Sequence, residues 1–147
     1  MINTEFRKKF ADNWFNFLQR QICKEFEELE KNKKKFSKRV WFKKKSNEGG
    51  GISFTLLNGK IFEKVGVNFS EVYGKFSKKF KNKIPGTKKN PQFWASGISV
   101  VMHMKNPHVP AMHFNTRYIH TSHGWFGGGM DITPCLNDEK LKKWFHS

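Results

Sequence analysis

The chain has 147 residues, 16 Phe and 5 Trp among them, and carries a formal charge of +16 at pH 7. That length bounds it to one domain or a piece of one, and the aromatic residues supply material for a core. No run approaches the about 18 apolar residues of a membrane span, no apolar signal core opens the chain, and its two cysteines, Cys23 and Cys135, fit neither a disulfide framework nor zinc-ligand spacing, so a reduced, cytoplasmic protein with no integral membrane segment is expected.

Phe6, Phe10, Trp14, Phe17, Leu18, Ile22, Phe26 and Leu29 recur at spacings of three or four, which predicts one amphipathic helix from Thr4 to Lys31. Glu25, Glu27, Glu28 and Glu30 fall on too many sides for a metal site and read as solvated positions and local ion pairs. A basic linker and Gly49-Gly50-Gly51 are expected next. Then Ile52–Leu57 and Lys60–Val65 flank Asn58-Gly59, the signature of a hairpin with a type I′ turn. Strand is expected to continue from Val67 to Tyr73, with loop over 75–92. Trp94–Met102 and Met112–Ile119 read as two strands, and Pro107 and Pro110 between them exclude a continuous ladder. A short strand follows through Gly127-Gly128-Gly129 to Ile132, and Asn137 is an N-cap for a helix bearing Leu141, Trp144 and Phe145. That helix stops after about two turns, so a piece of a longer domain is expected. The fold class is α+β, an antiparallel sheet flanked by helices.

Residues 1–50 hold 14 of the 28 Lys and Arg, with clusters at Lys31–Lys45 and Lys75–Lys89. Such a balance suits nucleic acid, an acidic membrane surface or a polyanionic small molecule. Neither cluster has the aromatic interleaving of a single-strand-binding groove, and solvated surface is the plainer reading. A basic nucleic-acid-binding module stands as the alternative function, and a metal-dependent hydrolase as a third.

The chemistry concentrates elsewhere. Residues two apart share a face of a strand, so Ser99, Val101 and His103 lie together, as do His113, Asn115 and Arg117. A symmetric antiparallel register would set His103 opposite His113 and Ser99 opposite Arg117. Arg117 suits a carboxylate, Ser99 and Asn115 supply neutral hydrogen bonds, and the imidazoles can move a proton or hold a metal. Trp125-Phe126 and the glycines would add an aromatic wall and a backbone open to a flat ligand, with Asp131 accepting from N–H donors. Cys135 reads as a small buried hydrophobe. No His-x-His or His-Glu-x-x-His pattern supports zinc.

The segments Gly49–Ser53, Asn58-Gly59, Phe62–Ser70, Gly97–His103, Asn106–Pro110, His113–Tyr118 and Trp125–Pro134 resemble, in this order and spacing, the oxygen-dependent coproporphyrinogen III oxidase family. The resemblance runs from Trp14 to Pro134 and covers the amino-terminal half of the family's length. It implies a homodimer built on a large flat sheet covered by helices on both sides. It further implies coproporphyrinogen III as substrate, O2 as co-substrate, no organic cofactor, and no nucleic acid. Ser99, Asn115, Thr116 and Arg117 match its substrate-binding positions, and Asp131 an acidic residue facing pyrrole N–H groups. His103 and His113 match the histidines of a proposed divalent metal, with His113 also the favoured proton donor. His120 and His123 sit in a stretch where members vary and are given no role. The resemblance also implies that half a chain lacks activity alone.

Overall fold

The structure is a computed structural model that describes residues 3–31, 34–43, 48–77, 79–80 and 83–147. Parts of both lysine clusters therefore lie outside the described residues. Helix α1 spans Thr4–Glu30, strands β1 to β6 span Ser37–Phe42, Gly49–Leu57, Phe62–Lys75, Gln92–Met104, Ala111–His120 and Gly124–Thr133, and helix α2 spans Glu139–His146. The strands form one sheet in chain order, every neighbour antiparallel. This is the expected α+β arrangement, and no helix is long and apolar enough to cross a membrane among the described residues.

Helix α1 starts where the Asn3 side chain accepts from the Glu5 amide at 3.0 Å, and ends at Lys31 in the left-handed region (φ 53°). Its inward face is not the one the aromatic spacing suggests. Ala11, Phe15, Gln19 and Cys23 are buried at four-residue intervals, with Leu18, Ile22 and Phe26 packed beside them. Phe6, Phe10, Trp14, Phe17 and Leu29 are exposed. The helix is apolar on two sides, and the side that meets the sheet is centred on Phe15 with the smaller or polar Ala11, Gln19 and Cys23 along the same line. Below it lie Leu56, Val65, Val67, Phe69, Ile98, Val100, Met102 and Tyr118. Each buried side chain of this size contributes roughly 1.5–3 kcal/mol by leaving water.

Gln19 bridges two strands, donating from Nε2 to the Ile52 carbonyl at 2.7 Å and the Val67 carbonyl at 2.8 Å. Glu30 corrects the reading of the acidic run. It is fully buried, and its carboxylate accepts from the backbone N–H groups of Lys60, Ile61 (3.0 Å) and Phe62 (2.7 Å). This shapes the hairpin. Asn58 takes a positive φ of 52°, but Gly59 does not, so the expected type I′ turn is replaced by a turn wrapped over Glu30. A Cβ at Gly59 would collide with that carboxylate, which is the physical reason for glycine there.

The basic linker is in part a strand. β1 pairs with β2 from Ser37↔Thr55 to Phe42↔Gly50, and Gly49 and the two glycines after it belong to β2. Charge masked the strand: basic residues such as Lys38 and Arg39 on an exposed edge strand discourage further pairing without opposing the strand itself. A Cβ at Gly51 would collide with the Phe69 backbone carbonyl oxygen and meet the Trp41 indole at 2.8 Å, so the close approach of both favours glycine there. At the other end α2 begins two residues after Asn137, with the Lys142 amide donating to the Asp138 carbonyl at 3.1 Å. The side chains of Leu141 and Phe145 lie outside the described set.

Candidate active site

With α1 on one face, the pleat sends every second residue of the sheet to the other. Cross-strand pairing arranges this second face in rows. One row reads Arg39, Ser53, Asn68, Ser99, Asn115, Gly129; the next reads Trp41, Gly51, Ser70, Gly97, Arg117, Gly127. A third reads Ser37, Thr55, Gly66, Val101, His113, Asp131. Apart from Trp41 and Val101 this floor holds only polar side chains and glycines, and a Cβ added at Gly127 or Gly129 would meet nothing within 4 Å. A flat molecule can lie against such a surface.

The β4–β5 register differs from the symmetric one by two residues. Ser99 faces Asn115, Val101 faces His113 and Gly97 faces Arg117, while His103 lies beyond the last β5 partner and faces Lys64 on β3. The turn is the cause: the Lys105 amide donates back to the Ile61 carbonyl at 2.9 Å, and the Val109 amide to the Asn106 carbonyl at 3.1 Å, which places the bend after β4 asymmetrically. A shift of two preserves the face of every side chain, so the same residues still gather.

The shift creates the contact that defines the site. Ser99 Oγ lies 3.1 Å from His113 Nε2, and His113 Nδ1 lies 3.3 Å from Asp131 Oδ1. Arg117 Nη2 donates to Asn115 Oδ1 at 2.7 Å, which holds the exposed guanidinium over the floor. A hollow of about 310 Å³ is lined by Asn68, Ser70, Ser99, His113, Asn115 and Arg117 among others. It adjoins a second of about 320 Å³ lined by His103, His113, Asp131 and Cys135 among others. A larger hollow of about 770 Å³, lined in part by Lys8, Tyr73, Trp94 and His120, is more open and lies away from these groups.

Several expected members sit differently. Thr116 pairs with Ile98 and Gly128 on the helix-covered face, so it offers the floor only its backbone. Phe126 is no wall for the site: it packs toward Phe15 (ring centroids 6.4 Å apart) and Tyr118 (4.9 Å) on the helix side. Cys135 is exposed rather than buried, because it follows the end of β6. Asn68 and Ser70 belong to the floor and were not singled out as site residues. The alternation of Val65, Val67 and Phe69 into the core places them there, and that signal was present in the sequence.

A metal fits these residues poorly. His103, His113 and Asp131 line one hollow, yet both ring nitrogens of His113 already face Asp131 and Ser99. Among the described residues no three His, Cys, Asp or Glu side chains come together as a ligand set.

The fold and site thus define a class: an open antiparallel sheet whose face opposite α1 is lined by polar side chains and glycines, with a serine, an imidazole, a carboxylate and a guanidinium along it. The family model for coproporphyrinogen III oxidase matches residues 11–147. The oxygen-dependent coproporphyrinogen-III oxidase of Rickettsia felis is 47% identical over 148 residues, spanning 95% of this chain and 52% of the relative. That of Rickettsia akari is 46% identical with the same coverage, and that of Rickettsia typhi 46% identical over 99% of this chain and 54% of its own length. The chain belongs to the coproporphyrinogen III oxidase family. It spans about half the length of the curated relatives it matches.

Proposed function

We propose that this chain supplies the amino-terminal part of an oxygen-dependent coproporphyrinogen III oxidase site in haem synthesis. The observation that carries the reading is the glycine-paved floor with Ser99, His113, Asp131 and Arg117 on one face, in a chain that matches the family. The reaction removes two propionates in turn. Each –CH2–CH2–COOH loses CO2 and two hydrogens to become a vinyl group, and one O2 takes the two hydrogens as hydrogen peroxide.

This chain's residues suit the steps that need no redox group. Arg117 binds a propionate carboxylate, with Asn115 holding the guanidinium in place. Ser99, His113 and Asp131 together take the pyrrole N–H side of the macrocycle, where removing a proton makes the ring a better electron donor to O2. The floor keeps the reacting propionate in one orientation. No organic cofactor is needed, and no step is routed through a metal on His103 and His113. The functional assembly is a cytoplasmic homodimer in which the other half of the relatives' length completes the walls.

The test is oxygen-dependent conversion of coproporphyrinogen III to protoporphyrinogen, read by porphyrin fluorescence after oxidation. It is run with the chain alone and with the remaining half of the Rickettsia typhi relative supplied separately. Turnover only in the mixture is expected. No turnover in either case, together with salt-sensitive binding to DNA or RNA, would overturn the reading in favour of a basic binding module.

A further inference from the structure

We infer that Ser99, His113 and Asp131 form a proton relay across three strands, in which Ser99 is the group that receives the ligand's N–H proton and Asp131 acts through His113. The inference rests on the proposed function for the identity of the N–H ligand; the relay itself stands on geometry.

The three side chains come from β4, β5 and β6, and their order is fixed by cross-strand pairing: Val101, His113 and Asp131 share a row, with Ser99 one row over. An ionised carboxylate only accepts hydrogen bonds. Its approach to His113 Nδ1 at 3.3 Å therefore favours a proton on Nδ1, leaving the lone pair of a neutral ring on Nε2. Ser99 Oγ, 3.1 Å from Nε2, then donates its hydrogen to the ring. Arg117 does not compete for the imidazole, because it is turned to Asn115 Oδ1. Both contacts are of the kind that shortens when a ligand closes the site.

The polarity of Ser99 follows. With its hydrogen given to His113, Ser99 presents only lone pairs to the hollow it shares with Asn68 and Asn115. It is an acceptor there, suited to a ring N–H and unsuited to a carboxylate. Arg117 supplies the anion-binding character instead. When the ligand's N–H bond breaks, its proton goes to Ser99 Oγ as the serine's own proton passes to His113 Nε2. One N–H bond is lost and one Nε2–H bond formed, Ser99 is regenerated, and no electrons leave. The imidazolium is then stabilised by the Asp131 carboxylate, and the ligand carries the extra electron density. The same three roles in the same geometry recur on unrelated folds, where they are recognised by arrangement alone.

Two readouts test this. The first is nitrogen-15 NMR of the histidine rings of the full chain at about pH 8, with the His113 signals assigned by their loss in His113→Gln. His113 is expected as the neutral Nδ1–H form. Asp131→Ala should release it to the Nε2–H form that free imidazole prefers, while Ser99→Ala should leave it unchanged. A proton on Nε2 in the unaltered chain, or a tautomer indifferent to Asp131, would overturn the relay. The second is turnover in the mixture with the relative's second half. Ser99→Ala should lower kcat about a hundredfold with little change in KM, and Ser99→Thr, which keeps the hydroxyl, should restore most of it. A change in KM alone would make Ser99 a binding group and sink the relay. Absence of turnover in the unaltered mixture would count against the functional reading, and the tautomer would still decide the relay.

Discussion

Cys23 and Cys135 occupy opposite surroundings. Burial, with Glu27 nearby, pushes the Cys23 thiol up to about 12, whereas Cys135 is exposed beyond β6. Only thiolate reacts, so a thiol reagent at neutral pH should label one cysteine in the native chain and the second only on unfolding. Peptide mapping that found Cys23 modified in the folded chain would contradict the α1 packing. Asp12 makes a pH prediction. Burial raises its carboxyl above the usual range and Glu71 adds to this, while the 2.9 Å hydrogen bond from Ser96 partly offsets both. A raised folded-state value means the folded chain holds the proton more tightly. Its favourable contribution is present at acid pH, below the ordinary aspartate value, and is lost as pH rises through the raised one. Asp12→Asn can still accept from Ser96. It should therefore raise the urea midpoint at pH 7 more than at pH 4, and an equal effect at both would contradict this assignment.

Between elements, the most informative tie is Glu30 to the β2–β3 hairpin. Three backbone N–H groups, that of Phe62 buried and those of Lys60 and Ile61 partly so, depend on one carboxylate at the end of α1. Glu30→Ala should cost about 3 kcal/mol in denaturant unfolding, because the orphaned donors lose charge-assisted bonds and gain little water. A loss under about 0.5 kcal/mol, the level of an ordinary surface change, would contradict the cap. The sequence shows the hairpin through Asn58-Gly59 and the alternation beside it, but not the cap. Nothing local distinguishes Glu30 from Glu25, Glu27 and Glu28, since its partners lie 30 or more residues away. β1 was hidden for a related reason: its pairing with β2 is a tertiary event, and Lys38 and Arg39 within it read as linker. The β4–β5 strands were legible, as was the face each side chain takes, because alternation fixes parity. Their register was not, because it is set by the Lys105 and Val109 amides in a turn with no standard signature.

At the scale of the molecule, the division of labour between the two sheet faces organises everything else. Alternating apolar residues send Val65, Val67, Phe69, Ile98 and Val100 beneath α1, and by the same alternation send Asn68, Ser70, Ser99, His113 and Arg117 to the open side. The candidate site was legible for that reason: its members share one parity on neighbouring strands. Thr116 and Phe126 have the opposite parity, and they are the two expected members that face away. The formal charge of +16 suits a polyanionic ligand, but the site itself contributes little of it beyond Arg117.

The proposed function rests the macrocyclic tetracarboxylate on the sheet face opposite α1, and Gly129 tests this most directly. A side chain there has open space above the sheet, and the strand loses a flexible residue, so Gly129→Leu should fold with an unchanged or higher melting temperature. It would also stand where the ligand's ring must rest. The measurement is binding of coproporphyrin III, the stable oxidised form of the substrate, followed by its fluorescence with the unaltered chain and with Gly129→Leu. At least about a tenfold loss of affinity, roughly 1.4 kcal/mol, is expected with the fold intact. Equal affinity in the two proteins, at equal melting temperatures, would show that the ligand does not lie on this floor.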